Sequence, residues 1–195
     1  ENQLGAFQGL VHRFIFEEEG RKTTAAITLA CMQLPLSETV MVVPADQLIS
    51  GNSYKDAVLR AKELSDENHL VTLGLPIVFP EERFGYIRYE GENVIEFTEK
   101  PNRERAQEYL MNGEHLVNSG IFLFRVGNYL RELNNYSPEV YTACKQAYRM
   151  KHSAPGSYTY VKEVMRSIPA IPVERAVFEK TRSAKVVHGT FEWQD

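Results

Sequence analysis

The sequence has 195 residues, of which 43% are hydrophobic and 25% are charged. This apolar content is enough to build a core, so the composition excludes an intrinsically disordered chain. The net charge of -4 argues against a protein that holds nucleic acid through a basic surface. No segment approaches the roughly 20 consecutive apolar residues of a membrane-spanning helix, so a soluble protein without a membrane partner is expected.

Short apolar runs and amphipathic segments alternate along the chain, which predicts a layered α/β fold in a single domain. The predicted strands are residues 10–16, 39–43, 70–79, 84–89, 93–97, 121–126, 184–187 and 190–193. The predicted helices are residues 23–32, 53–64, 103–111, 127–133, 138–150 and 173–181, and residues 152–157 are expected to form a loop. Residues 39–43 are continuously apolar or β-branched, as in a strand buried on both faces of a parallel sheet.

The two cysteines, Cys31 and Cys144, lie within predicted helices and lack CxxC spacing. This pattern is typical of reduced thiols in a cytoplasmic protein. The five histidines are scattered without the spacing of metal ligands, and no Ser/His/Asp triad can be argued from the sequence. Nucleophilic catalysis and a histidine-based metal site are therefore not expected.

Three charged residues follow predicted strands, namely Asp46, Lys100 and Asp195. Ligands of open α/β sheets bind beyond the carboxyl ends of the strands, so these positions are candidates for chemistry. A carboxylate at Asp46 can hold Mg2+ together with substrate phosphates, although an Asp there can equally cap a turn. Asp195 offers a second carboxylate of the same kind, but alone it is only a chain-terminal acid.

Two short motifs offer groups for a sugar phosphate. In Glu99-Lys100-Pro101 the lysine supplies a point charge for a phosphate, and the adjacent glutamate can accept hydrogen bonds from sugar hydroxyls. In Asn118-Ser119-Gly120 the amide both donates and accepts hydrogen bonds. Each motif taken alone is also a common surface turn.

The charged segment at residues 17–23 leads into a predicted helix whose N-terminus favours anions. A glutamate in this segment could accept hydrogen bonds from the N1 and N2 hydrogens of a guanine. A solvated acidic turn explains the same charge pattern equally well.

Taken together and in order, these segments resemble the nucleotidyltransferase domain of bacterial mannose-1-phosphate guanylyltransferases, also called GDP-mannose pyrophosphorylases. The segments that carry the resemblance are residues 17–27, 44–49, 84–87, 97–101, 118–124, 175–181 and 193–195. Each is weak alone, but their order and spacing across nearly the whole chain make the combination specific.

The resemblance implies a Rossmann-like nucleotidyltransferase fold with a mixed, mostly parallel sheet and helices on both faces. It implies that GTP and mannose 1-phosphate are condensed to GDP-mannose and pyrophosphate with Mg2+. Asp46 and Asp195 correspond to the metal-holding acids, and both are assigned to catalysis with Lys100, which contacts the sugar phosphate. The implied sugar contacts are Gly85, Glu99 and Asn118. The implied nucleotide contacts are Glu17, Gly20, Arg21 and Thr23.

The sequence departs from the family pattern at several positions. Glu18, Lys22, Gln47, Val117 and Glu174 stand where the family commonly has Pro, Asn, His, an aromatic residue and Asp. The glycine-rich Gly-x-Gly-Thr-Arg loop that opens the family domain does not occur in this sequence. Residues 1–195 are therefore expected to be a partial catalytic domain, without the N-terminal strand and that loop.

Two other functions remain open at this point. One keeps the fold but uses another nucleotide, as a thymidylyl- or uridylyltransferase does. The other is a non-catalytic fragment that binds a sugar phosphate. The oligomeric state is not fixed by the sequence, and a homodimer is compatible with it.

Overall fold

The computed structural model describes residues 13–194, in which strands and helices alternate as the sequence predicts. The strands are β1 (Phe14–Glu17), β2 (Thr39–Val42), β3 (Leu48–Ser50), β4 (Leu70–Pro76), β5 (Gly85–Glu90), β6 (Asn93–Glu99), β7 (His115–Arg125), β8 (His152–Ala154), β9 (Ser157–Tyr160), β10 (Ala184–His188) and β11 (Glu192–Gln194). The helices are α1 (Lys22–Cys31), α2 (Ser53–Asp66), α3 (Arg103–Asn112), α4 (Val126–Tyr136), α5 (Pro138–Arg149) and α6 (Lys162–Arg166). A π-helical turn covers Glu174–Phe178.

The central sheet has six strands in the order β2-β7-β4-β10-β6-β5. Strands β2, β4, β10 and β5 run in one direction, and β7 and β6 run in the other. The long β7 also pairs with β5 through its first residues, so β7, β4, β10, β6 and β5 form a ring of successive pairings. Two smaller sheets accompany it, β1-β9-β8 and β11-β3.

The α/β fold class is confirmed, but the expected mostly parallel pairing needs a correction. Within the described residues, β4–β10 is the parallel pairing of this sheet, and its other pairings are antiparallel. The physical reason is local for β5 and β6, because the two residues between them can only join antiparallel neighbours. Gly91 in this connection has φ +58°, which a glycine adopts without strain.

Strand β2 also differs from its prediction as a strand buried on both faces. Among the described strands it pairs only with β7, in antiparallel register, and it lies at the edge of the sheet. Met41 is 37% exposed, and Val43 just beyond the strand is 45% exposed. A continuous apolar run thus identified the strand but not its position in the sheet.

Helices cover both faces of the central sheet, as predicted. Alternate residues of a strand point to opposite faces, and β7 shows this directly. Ile121 and Leu123 pack in a cluster with α2, whereas Phe122 and Phe124 pack in a cluster with α1, α4, α5 and the π turn. The ring of Phe124 stacks on Tyr129 of α4 at a centroid distance of 4.6 Å.

Several smaller differences follow from tertiary pairing. The predicted loop at residues 152–157 contains the β8–β9 hairpin, and β3 was not predicted because its three residues are a strand only by pairing with β11. The predicted strand at residues 121–126 begins six residues earlier, at His115. Residues 10–12 of the first predicted strand lie outside the described residues. Across residues 13–194, no helix combines the length and the apolarity that crossing a bilayer requires.

Candidate functional site

A cavity of about 250 Å3, called the polar pocket below, opens where β5 begins and β6 ends. It is lined by Lys22, Thr23, Pro44, Gln47, Arg83, Phe84, Gly85, Glu99, Lys100, Asn118, Ser119, Gly120, Pro172, Glu174 and Trp193. The four residues that the sequence analysis assigned to a sugar phosphate, Gly85, Glu99, Lys100 and Asn118, are all in this lining. They come from three separate strands or their ends.

Glu99 is the last residue of β6 and pairs with Gly85 of β5. Its side chain is only 8% exposed. A Cβ atom on Gly85 would lie 2.9 Å from Glu99 Oε2 and 3.1 Å from Phe97 Cε1, so the glycine makes the space that the carboxyl group occupies. The Glu99 backbone N–H donates to Glu179 Oε1 at 3.0 Å. Glu99 thus lines the pocket with a side chain that is largely buried.

Burial raises the pKa of Glu99 to about 7, and the nearby carboxyl groups of Glu174 and Glu179 act in the same direction. The positive charges of Lys100 and Arg175 oppose this shift. The Lys100 Nζ atom lies 3.8 Å from Glu99 Oε1. Near neutral pH the Glu99 carboxyl is thus close to its titration point, and it can accept or donate a hydrogen bond to a hydroxyl-rich ligand.

Lys100 has a backbone φ of +52°, in the left-handed region that non-glycine residues rarely adopt. Its N–H donates to the Phe84 carbonyl at 3.2 Å, and its side chain is 59% exposed. Lys22, at the start of α1, also has a positive φ, of 65°, and lines the same pocket. Residues held in such conformations often belong to ligand sites.

The Asn118-Ser119-Gly120 motif lies inside β7 and not in a turn. The Asn118 amide oxygen accepts from Thr72 Oγ1 at 2.8 Å and from the Gly120 N–H at 3.2 Å. Both bonds use the oxygen, which leaves the amide NH2 as the donor for a ligand. The Ser119 hydroxyl donates to the Leu73 carbonyl at 2.8 Å, which anchors the motif to β4.

The lining also contains residues for which no role was predicted, among them Gln47, Glu174 and Trp193. Gln47 Nε2 donates to the Ser119 carbonyl at 2.7 Å. Trp193 packs edge-on against Phe84 at a ring distance of 5.2 Å. One sequence feature could have pointed to Gln47 and Glu174. Each stands at a position where the family pattern has a different polar residue.

Glu174 begins the π turn where a continuous helix over residues 173–181 was predicted. The Glu179 N–H donates to the Glu174 carbonyl at 2.8 Å, which is the five-residue bond of a π turn. The Glu174 residue is only 8% exposed, and burial raises the pKa of its carboxyl group. Such turns often occur at functional sites.

The predicted nucleotide segment, residues 17–23, is only partly at this pocket. Thr23 is in its lining, and its Oγ1 accepts from the Val173 N–H at 2.9 Å. Arg21 turns away, because its Nε donates to the Ile168 carbonyl at 2.7 Å. Glu17, at the end of β1, is half-buried, and burial raises its pKa, whereas Gly20 is exposed. Neither Glu17 nor Gly20 is among the lining residues.

The predicted metal ligand Asp46 is exposed and lies in the chain between two pocket residues, Pro44 and Gln47. The other predicted ligand, Asp195, lies outside the described residues. Its neighbour Gln194 pairs with Leu48, two residues beyond Asp46. Within residues 13–194 no cluster of three or more His, Cys, Asp or Glu side chains has the geometry of a metal site. Mg2+ needs only one or two carboxylates beside phosphates and water, so Asp46 fits one ligand position.

A larger and mostly apolar cavity of about 700 Å3 adjoins the polar pocket. The two cavities share Arg83, Phe84 and Trp193. Leu75, Val117 and Phe191 line the apolar side. The aromatic pair Phe84–Trp193 therefore separates a polar compartment from an apolar one.

The model of the nucleotidyl transferase family matches residues 2–194 of this chain. Mannose-1-phosphate guanylyltransferase of Klebsiella pneumoniae is 34% identical over 206 residues, covering 99% of this chain and 44% of that protein. The protein of the same name from Escherichia coli K12 is 36% identical over 210 residues, with the same coverage of both chains. The chain thus spans less than half the length of these curated relatives.

Solved structures agree with this similarity. A Helicobacter pylori protein described as mannose-6-phosphate isomerase superposes with a TM-score of 0.91 at 28% identity, covering 94% of this chain and 74% of that one. A Thermus thermophilus protein described as mannose-1-phosphate geranyltransferase superposes with a TM-score of 0.75 at 27% identity, covering 91% of this chain and 52% of that one.

Proposed function

Because the chain belongs to the nucleotidyl transferase family, we propose that the protein containing it condenses GTP with mannose 1-phosphate, giving GDP-mannose and pyrophosphate. One observation carries the proposal. Gly85, Glu99, Lys100 and Asn118, to which the resemblance assigns the sugar phosphate, line a single polar pocket although they are up to 33 positions apart in the chain. The relatives named mannose-1-phosphate guanylyltransferase support the choice of substrates.

In the proposed reaction an oxygen of the sugar phosphate attacks the α-phosphorus of GTP, and the bond from that phosphorus to the β-phosphate oxygen breaks to release pyrophosphate. No covalent intermediate with the protein is needed, so catalysis consists of positioning and charge neutralisation. Lys100 supplies positive charge to the sugar phosphate. Glu99 and the Asn118 amide bind sugar hydroxyls, and Gly85 leaves room for the Glu99 carboxyl.

Mg2+ is the proposed cofactor, held by Asp46 and Asp195. When bound, the ion neutralises charge on the phosphates and helps to align them. The exposure of the Asp46 carboxylate beside the polar pocket supports this assignment, because a hard cation bound there must also reach substrate phosphates.

The nucleotide contacts Glu17, Gly20, Arg21 and Thr23 remain a proposal on the resemblance. Thr23 is the member of this group that lines the polar pocket. The Arg21 side chain is engaged with the Ile168 carbonyl and with Glu19, at 3.6 Å, so it would have to leave these partners to contact a base.

The proposal is tested by measuring pyrophosphate release from GTP and mannose 1-phosphate with Mg2+, using the protein that contains this chain. Asp46→Asn and Lys100→Ala are each expected to lose most of the activity, because each removes a charge that faces phosphates. Asp56→Asn and Lys55→Ala, both on α2 and away from the polar pocket, are the matched controls and are expected to keep it. The proposal fails if the unsubstituted protein releases no pyrophosphate, or if the test and control variants lose activity equally.

Nucleotide choice is tested separately by isothermal titration with GTP, UTP and dTTP. Preferential binding of GTP is expected, and a preference for a pyrimidine nucleotide would overturn the guanine assignment. Binding of mannose 1-phosphate without binding of any nucleotide would instead support the non-catalytic alternative.

A further inference from the structure

At Glu99, one edge of β6 is paired by a side chain and not by a strand. Strand β5 lies on the other edge, where the Lys100 N–H donates to the Phe84 carbonyl. Successive N–H groups of a strand point to opposite edges, so the Glu99 N–H points away from β5. On that side β10 pairs with β6 at Asn93, six residues before Glu99. The Glu99 N–H donates instead to Glu179 Oε1, at 3.0 Å.

The backbone that carries Glu179 is held in place by the π turn and by packing. The Glu179 N–H donates to the Glu174 carbonyl at 2.8 Å. The preceding residue, Phe178, is only 1% exposed. Its ring packs on Phe97 of β6 at a centroid distance of 6.0 Å and on Phe122 of β7 at 4.5 Å. The carboxyl group therefore reaches the end of β6 from a backbone that is anchored to two strands of the central sheet.

The hydrogen bond from β6 to Glu179 lies on the segment that supplies two pocket groups. Glu99 and Lys100 both line the polar pocket, whereas Glu179 is not among its lining residues. Lys100 has a backbone φ of +52°, a conformation that persists in a non-glycine residue only where the surroundings impose it. The N–H groups of both residues are bonded, one to Glu179 and one to the Phe84 carbonyl. These two bonds fix the backbone from which the Glu99 and Lys100 side chains extend.

We propose that Glu179 is a positioning residue of the polar pocket. Through its hydrogen bond with the Glu99 N–H it holds Glu99 and Lys100 in place for a sugar phosphate, without touching the ligand itself. Residues 175–181 are one of the segments that carry the family resemblance, but no role was predicted for Glu179. This inference rests on the proposed function, from which it takes the identity of the sugar phosphate.

Two substitutions separate the hydrogen bond of Glu179 from its charge. Glu179→Gln keeps an oxygen that can accept the Glu99 N–H, whereas Glu179→Ala removes the acceptor. Both remove the same negative charge, which together with Glu174 raises the pKa of Glu99 against the charges of Lys100 and Arg175. A difference between the two variants therefore reports the loss of the acceptor and not of the charge. Because Glu179 is exposed, neither substitution leaves a cavity in the core.

The first measurement is hydrogen exchange of the Glu99 backbone amide, followed by NMR in the protein that contains this chain. In Glu179→Ala this amide is expected to exchange roughly tenfold faster than in the unsubstituted protein, as for one lost hydrogen bond. Glu179→Gln is expected to keep the slow exchange. Glu108→Ala, exposed on α3 and outside the pocket lining, is the control and should leave the rate unchanged. An unchanged rate in Glu179→Ala overturns the inference, whatever the substrate is.

The second measurement is titration calorimetry of the same variants with mannose 1-phosphate, with thermal unfolding in parallel. Glu179→Ala is expected to bind roughly tenfold more weakly, and Glu179→Gln to recover most of the affinity. Equal weakening by both substitutions, or a lower unfolding temperature with unchanged binding, overturns the positioning role and leaves the proposed function intact. An unsubstituted protein that binds no mannose 1-phosphate overturns the proposed substrate, and with it the role of Glu179 in binding that substrate.

Discussion

The buried Glu99 carboxyl is expected to make the stability of the chain fall as the pH rises. Its pKa is raised from an ordinary value of 4.5 to about 7 by burial and by the carboxyl groups of Glu174 and Glu179, against the opposing charges of Lys100 and Arg175. Between these two pH values the folded chain binds more protons than the unfolded chain. The stability contributed by the protonated Glu99 carboxyl is therefore fully present below about pH 4.5 and is lost as the pH rises through 7.

Replacing Glu99 by Gln removes this titration and nearly preserves the shape of the side chain. A pKa difference of one corresponds to ~1.4 kcal/mol of unfolding free energy. Because water partly reaches the Glu99 carboxyl, the effect is smaller than the whole pKa difference would give. We therefore expect the unfolding free energy to change by an amount on the order of 2 kcal/mol. Relative to the unsubstituted chain, Glu99→Gln should therefore gain about that much stability between pH 5 and pH 8.

The measurement is urea unfolding at several pH values between 5 and 8, followed by the fluorescence of Trp193, the one tryptophan in the sequence. The difference in unfolding free energy between variant and unsubstituted chain is the quantity to compare, because it cancels titrations common to both. Glu108→Gln, exposed on α3, is the control and should show no such trend. A stability difference that stays constant from pH 5 to pH 8 would refute the buried, proton-binding role of Glu99.

Two further predictions concern the backbone of the pocket. Gly85→Ala should destabilise the chain by about 1–3 kcal/mol in thermal or urea unfolding, and should weaken sugar-phosphate binding, because its Cβ would lie 2.9 Å from Glu99 Oε2. Gly20→Ala, whose Cβ meets nothing within 4 Å, is the control for the unfolding measurement alone. Equal stability of the two variants would contradict the reasoning. Lys100→Gly should stabilise the chain by about 1 kcal/mol over Lys100→Ala, because only glycine adopts φ +52° without strain, while both variants lose sugar-phosphate binding; no difference in stability between the two would count against strain at this residue.

The sequence predicted individual elements better than their arrangement. The apolar run at residues 39–43 identified β2, but its pairing with β7 and its place at the sheet edge depend on residues some 80 positions away. Likewise, Asn118-Ser119-Gly120 reads locally as a turn. It becomes the middle of β7 because Thr72 and Leu73 of β4 supply hydrogen-bond partners that a turn would not have.

In the candidate site, too, some residues were predicted from local sequence and others became evident only in the fold. Glu99, Lys100 and Asn118 were predicted because their motifs carry chemistry and keep the order of a known family. Gln47, Glu174 and Trp193 were not assigned to the site, because what distinguishes them is a polar atom buried without a partner among the described residues. Burial depends on which distant segments pack together, and no short motif records it.

The α/β class, the position of most strands and helices, and several polar residues that line the polar pocket could be predicted from the sequence. These properties follow from periodicity and from the chemistry of single side chains, which are local. Only the tertiary structure decided that β6 and β7 run opposite to the other strands of the central sheet. It also decided which residues close the polar pocket and which charges surround Glu99. The pKa of Glu99 is set by burial and by the charges of Glu174 and Glu179, which lie at least 75 residues away in the chain.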